Sequence, residues 1–166
     1  MGTTFDRDEV EAAFRHYWQV GAVGEDWDAW ADLFTEDAVY VEHWYGTMHG
    51  REEIRRWIKP VMASYSELYT ALDWYMIDGD RVVFEMQNRR DHPDPSQPPI
   101  DFPGITVLRY AGDNQWAYEE DYWAFKAAGE TARQYAEACA RHDPDHPKKM
   151  TRRHWPTSPE WAGPLA

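Results

Sequence analysis

The chain has 166 residues and a single cysteine, Cys139, so it makes one domain of ordinary size whose core needs no internal disulfide. Thirty acidic residues against seventeen basic give a formal charge of −13, which repels phosphate backbones and anionic lipid surfaces and excludes nucleic acid and membrane as partners. The N-terminus, MGTTFDRDEVEAAF, lacks the basic and apolar regions of a secretion signal, and no run is long enough to span a bilayer; the expected location is the cytoplasm.

In chain order, Val10, Phe14, Tyr17, Trp18 and Gly21 recur at helical spacing and predict an amphipathic first helix that ends at VGAVGE. Asp26 is placed to cap a short second helix carrying Trp27, Trp30, Leu33 and Phe34. DAVYVEHWYG alternates as a strand, and HGREEIRRWIKPVMASY returns to helical spacing, with Pro60 expected to kink or end the helix. Strands are predicted at roughly 67–77, 81–91, 104–111 and 115–125, with hairpin turn chemistry at DGD (78–80) and AGDN (111–114). DHPDPSQPPIDFPG, between 91 and 104, is too rich in proline to be regular and reads as a long loop. A helix over about 128–141 closes the domain.

The order describes an α+β domain over residues 1–140, in which a curved, mostly antiparallel sheet wraps around N-terminal helices and encloses a pocket. Residues 141–166, with five prolines and a local excess of basic residues, are expected to form an irregular arm lying back on the acidic body. The loop at 91–104 and this arm are expected to flank the pocket mouth. Ten Trp, ten Tyr and six Phe exceed the needs of a core this size and point to a small apolar or aromatic ligand. A strand face bearing Tyr118 and Tyr122 with no helix left to cover it predicts a homodimer.

Two stretches concentrate charge among aromatics. Alternation sends Tyr40, Glu42 and Trp44 to one face of the first strand and Val39, Val41 and His43 to the other; whether the face of Glu42 meets a pocket or water stays open. In YEEDYWAF, residues 118–125, Glu119 and Asp121 share the face of Trp123 and Phe125, while Glu120 lies with Tyr118 and Tyr122. Two inward carboxylates two residues apart raise each other's pKa, which suits an acid/base at neutral pH; pairing with Arg89 or Arg109 is the structural alternative.

GEDWDAWADLFTEDAVYVEHWYGTMHGREEI and FPGITVLRYAGDNQWAYEEDYW resemble the opening and the last hairpin of the SnoaL-like branch of the nuclear transport factor 2-like superfamily, across roughly residues 8–126. That resemblance implies a cone-shaped α+β fold, which hosts isomerases, dehydratases, cyclases, epoxide hydrolases and non-enzymatic carriers. Against ketosteroid isomerases of the superfamily, Glu42 falls at the general base, Trp18 at the tyrosine donor and Thr106 at the second acidic donor, so that site is incomplete. Against dehydratase-like and epoxide hydrolase-like members a catalytic residue is missing; Ala124 stands at one such place. Against SnoaL-like cyclases, Asp121 lies on the strand that carries the catalytic acid/base.

The expected catalytic pair is therefore Glu42 and Asp121, with Trp18, Tyr40, Trp44, Arg89, Glu119 and Trp123 as substrate-binding residues. No cofactor is expected, and no metal: prolines in HDPDH keep His142 and His146 off one helix face. The implied activity is acid/base catalysis of isomerase or cyclase type on an apolar cyclic, polyketide-like or steroid-like molecule. The alternative is a non-catalytic hydrophobic-ligand-binding or association module.

Overall fold

A computed structural model describes residues 5–150 and 159–163. Helix α1 (Arg7–Trp18) starts where the Asp6 carboxylate accepts from the Asp8 N–H, and its charges run acidic to basic along the helix dipole. Its buried stripe is Val10, Ala13, Phe14, Tyr17 and Trp18. The helix widens into a π-helical turn, Gln19–Val23, where a methyl group on Gly21 would stand 2.4 Å from Trp30 Cδ1. The missing side chain lets Trp30 of α2 (Trp27–Asp32) close against the turn. Asp26 caps α2 as expected, accepting from the Ala29 N–H at 3.0 Å.

Strand β1 (Phe34–Glu42) turns through residues 43–45 into a short antiparallel β2 (Gly46–His49). The sequence pattern read DAVYVEHWYG, 37–46, as one strand and did not foresee β2; Gly46, at φ 111°, supplies the left-handed residue that reverses the chain. Helix α3 (Arg51–Ala63) runs through Pro60 instead of breaking there. Pro60 and Arg56 both lie on the exposed face, where water can serve the carbonyl that the proline leaves without a donor.

Strands β3 (Tyr69–Asp78), β4 (Arg81–Arg90), β5 (Ile100–Gly112) and β6 (Gln115–Trp123) complete an open, curved six-stranded sheet in the order β2-β1-β6-β5-β4-β3. All neighbours are antiparallel except β1 and β6, which run parallel. The Asp113–Asn114 turn between β5 and β6 has positive φ at both residues, as its composition foretold. β5 begins earlier than expected because Pro103 lies past the last β5–β6 pair, Gly104 with Trp123, where the strand has one neighbour and tolerates proline.

Helix α4 (Phe125–His142) and the short α5 (His146–Lys149) follow. The core forms between the concave sheet face, with Phe34, Leu72, Phe84, Leu108 and Trp116, and the helices, with Phe14, Trp18, Trp30 and Ile54. At the far end of the chain, Trp161 packs 5.9 Å from both Phe14 and Tyr75, and the Trp18 indole donates to the Ala162 carbonyl at 2.9 Å. That segment lies back on α1 and β3. Among the described residues no helix is long and apolar enough to cross a membrane.

Candidate active site

Strand register builds the site. In the parallel β1–β6 ladder Tyr40 stands opposite Glu119 and Glu42 opposite Asp121, and in the β5–β6 ladder Thr106 stands opposite Asp121. Side-chain alternation then gathers Tyr40, Glu42, Thr106, Glu119, Asp121 and Trp123 on the concave face. All six line one cavity of about 450 Å³, roofed by helices and rich in aromatic rings. Glu120 takes the other face, where it accepts from Tyr118 at 2.6 Å and pairs with His43 at 2.9 Å.

Each inward carboxyl has a different setting. Asp121 accepts from the Tyr40 hydroxyl at 2.5 Å and from Thr106. Burial pushes its pKa from 3.8 up to about 6, with the two hydroxyl donors pulling down and the Glu42 charge pushing up. Glu119, 2 % exposed, accepts from the Tyr17 hydroxyl at 2.7 Å, while its other oxygen is buried without a partner. Burial first, and the Asp121 charge second, hold it well above the ordinary carboxylate range. Glu42, 3 % exposed, takes three N–H donors: the backbone of Trp44 at 2.8 Å, the backbone of Tyr45 at 2.7 Å and the Trp123 indole. Its carboxylate thereby fixes the 43–45 turn, which carries Trp44 to the rim, 65 % exposed, 5.6 Å from Phe125.

Of the substrate-binding residues expected from sequence, Trp18, Tyr40, Trp44, Glu119 and Trp123 line the cavity. Arg89 does not. It faces the opposite side of β4, paired with Asp101 at 2.8 Å, and its neighbour Arg90 occupies the cavity wall, paired with Glu67 at 3.1 Å. Strand parity separates the two arginines, and the signal that reasoning from the sequence passed over is that Val82, Phe84 and Met86, the apolar alternation of this strand, share their parity with Arg90. Arg109 stacks over Tyr118, 5.6 Å from the ring. Among the described residues, no ion pair reaches Glu42, Glu119 or Asp121.

Tyr17 is the donor that sequence reasoning passed over in favour of Trp18, although its place on the stripe with Val10 and Phe14 marks it as inward-facing. Of the stretch expected as a loop, 91–104, Phe102 reaches the cavity wall, as part of β5, while residues 91–99 and the segment 159–163 do not line it; Phe125, Ala128, Gly129 and Ala132 of α4 stand at the wall as well. The remainder of the expected arm, 151–158 and 164–166, lies outside the described residues. No group of three or more His, Cys, Asp or Glu among the described residues is placed to hold a metal ion.

Comparison with known proteins places this geometry. A protein of ketosteroid isomerase-like fold from Catenulispora acidiphila, in complex with trimethylamine, is 26% identical over 72% of this chain and 88% of its own, with a TM-score of 0.54. An LEH-like epoxide hydrolase from M. tuberculosis (15% identity, 81% and 96% covered, TM-score 0.64) shares the fold. So does a protein described as a SnoaL-like polyketide cyclase from Shewanella denitrificans (14%, 77% and 99%, TM-score 0.58). No curated protein matches the chain. The family model for the SnoaL-like domain matches residues 10–119, more than half of the chain and every strand of the site but the end of β6, and the chain therefore belongs to the SnoaL-like domain family.

Proposed function

We propose that this protein catalyses cofactor-independent proton transfer, of isomerase or cyclase type, on a small apolar cyclic molecule held in the aromatic cavity. The observation that carries the proposal is Asp121: a buried carboxyl poised near 6, positioned by Tyr40 and Thr106, beside a second carboxyl whose burial raises it well above the ordinary carboxylate range. Two carboxyls pushed apart in pKa make a base and an acid within one site. Asp121 removes a proton from a carbon next to a carbonyl, the electron pair passes to the carbonyl oxygen, and the Glu119 carboxyl hydrogen-bonds that oxygen. Returning the proton from Asp121 to another carbon of a conjugated system isomerises the molecule; attack of the enolate carbon on a second carbonyl closes a ring, and the alkoxide so formed takes the proton back from Asp121. Glu42 takes a supporting part in this scheme, because its oxygens already accept three N–H groups and its charge adds to the upward push that burial gives Asp121.

The Catenulispora relative is in complex with trimethylamine, and a ligand of that chemistry would meet aromatic rings and carboxylates here. A homodimer belongs to the same proposal, since the outer sheet face exposes Ile105, Tyr122, Trp74 and Met76. The direct test follows deuterium exchange at the carbon next to the carbonyl of 2-tetralone in D₂O. Acceleration by the protein, lost in Asp121→Asn, supports catalysis; saturable binding without acceleration supports the non-catalytic pocket.

A further inference from the structure

The cavity's charges are unbalanced. Glu42 and Asp121 face it, and each is held by neutral donors alone: backbone and indole N–H groups for one, hydroxyls for the other. Among the described residues the cationic side chain in the wall is Arg90, which gives its Nε to Glu67, lies over the Tyr135 ring and keeps its Nη1 buried without a partner; it stands six positions along β4 from Phe84, the residue level with Thr106 and Asp121, so it does not neutralise that group, and Arg89 pairs with Asp101. On the same wall Glu119, 2 % exposed, keeps one oxygen with no partner, so the polar surface is complete only when a ligand meets it. Around these groups stand Trp44, Trp57, Trp123, Tyr45 and Phe125, whose ring faces carry negative potential. Carboxylates without counter-ions and a cage of aromatic faces favour the same thing, a compact positive charge with an apolar surface, and the net charge of −13 draws such a ligand in from solution.

We infer that the ligand of this cavity is an apolar ring-bearing molecule carrying a protonated tertiary or a quaternary amine, bound with its nitrogen among the aromatic faces beside Glu42 and Asp121. The inference rests on the cavity being a small-molecule site, as proposed above, and narrows the class of molecule. A cationic nitrogen one bond from the reacting carbon would also acidify its C–H, which suits a carboxylate base.

Three probes of near-equal size separate charge from shape: benzyltrimethylammonium, its uncharged isostere neopentylbenzene, and the anion 3-phenylpropanoate. Affinities are read from tryptophan fluorescence and confirmed by proton NMR line broadening at pH 7.5. The expected result is binding of the cation at least tenfold tighter than the isostere, equivalent to about 1.4 kcal/mol, with the anion weakest. Asp121→Asn should shrink the cation's advantage. So should Trp44→Leu, at an exposed position where folding is not at risk, provided the ratio of the two affinities is compared. Equal or tighter binding of neopentylbenzene, or an undiminished cation advantage in both variants, overturns the inference while leaving the small-molecule cavity in place. Failure of all three probes to bind overturns the cavity reading and the inference together.

Discussion

Replacing Asp121 by asparagine tests the site through stability before any substrate is known. A carboxyl held at about 6 in the fold and at 3.8 in the unfolded chain costs the fold roughly 3 kcal/mol once ionised, at 1.36 kcal/mol per pKa unit. Because the folded value is raised, the stabilising contribution is complete below 3.8 and is lost as pH rises through about 6. Asparagine abolishes that cost, but its amide nitrogen cannot accept one of the two hydroxyls that Tyr40 and Thr106 donate, a loss of about 1 kcal/mol. The net expectation is a gain of roughly 2 kcal/mol at pH 8, or about 4–8 °C in Tm for a chain of this size. At pH 4.5 wild-type Asp121 is largely protonated in the fold, most of the penalty is gone, and the gain should vanish. Circular-dichroism melts of both proteins at the two pH values measure the difference, in which the titration of other groups cancels. A variant that melts below wild type at pH 8 by as much as at pH 4.5 would refute the reasoning, because it would make Asp121 a structural anchor and not a strained acid.

Glu42→Gln should behave in the opposite way: an amide NH₂ would face N–H donors from Trp44, Tyr45 and Trp123, so we expect a loss of about 1–3 kcal/mol, read in the same melts. Exchange of 2-tetralone protons should rise with pH through about 6 as Asp121 ionises, and a rate independent of pH from 5 to 8 would remove Asp121 as the base. Gly21→Ala should lower stability by about 1–3 kcal/mol in denaturant titrations, because its methyl group would meet the Trp30 ring at 2.4 Å. Light scattering at micromolar concentration should give twice 19.6 kDa, and Tyr122→Glu on the exposed outer face should return the mass to a monomer's.

Features that depend on neighbours a few residues away were legible before any fold was known. The stripe Val10, Phe14, Tyr17, Trp18, the Asp26 cap and the Asp113–Asn114 turn follow from helical spacing, a side-chain acceptor and tolerance of positive φ. So does the parity of Glu119 and Asp121 against Glu120, because side chains alternate along any strand whatever it pairs with. Parity cannot say which face meets a cavity, and that left Glu42 open between pocket and water. Tertiary structure decided it by setting β1 parallel to β6, which places Glu42 against Asp121 and Tyr40 against Glu119 across some eighty positions of chain. Tertiary packing also brought the Tyr17 hydroxyl to Glu119. It also laid Trp161 on Phe14 instead of over the mouth. Each of these pairings depends on how twisted strands stack and how helices fill the concave face, and the free energies that select them are shared by the whole core, so no short stretch of sequence carries them.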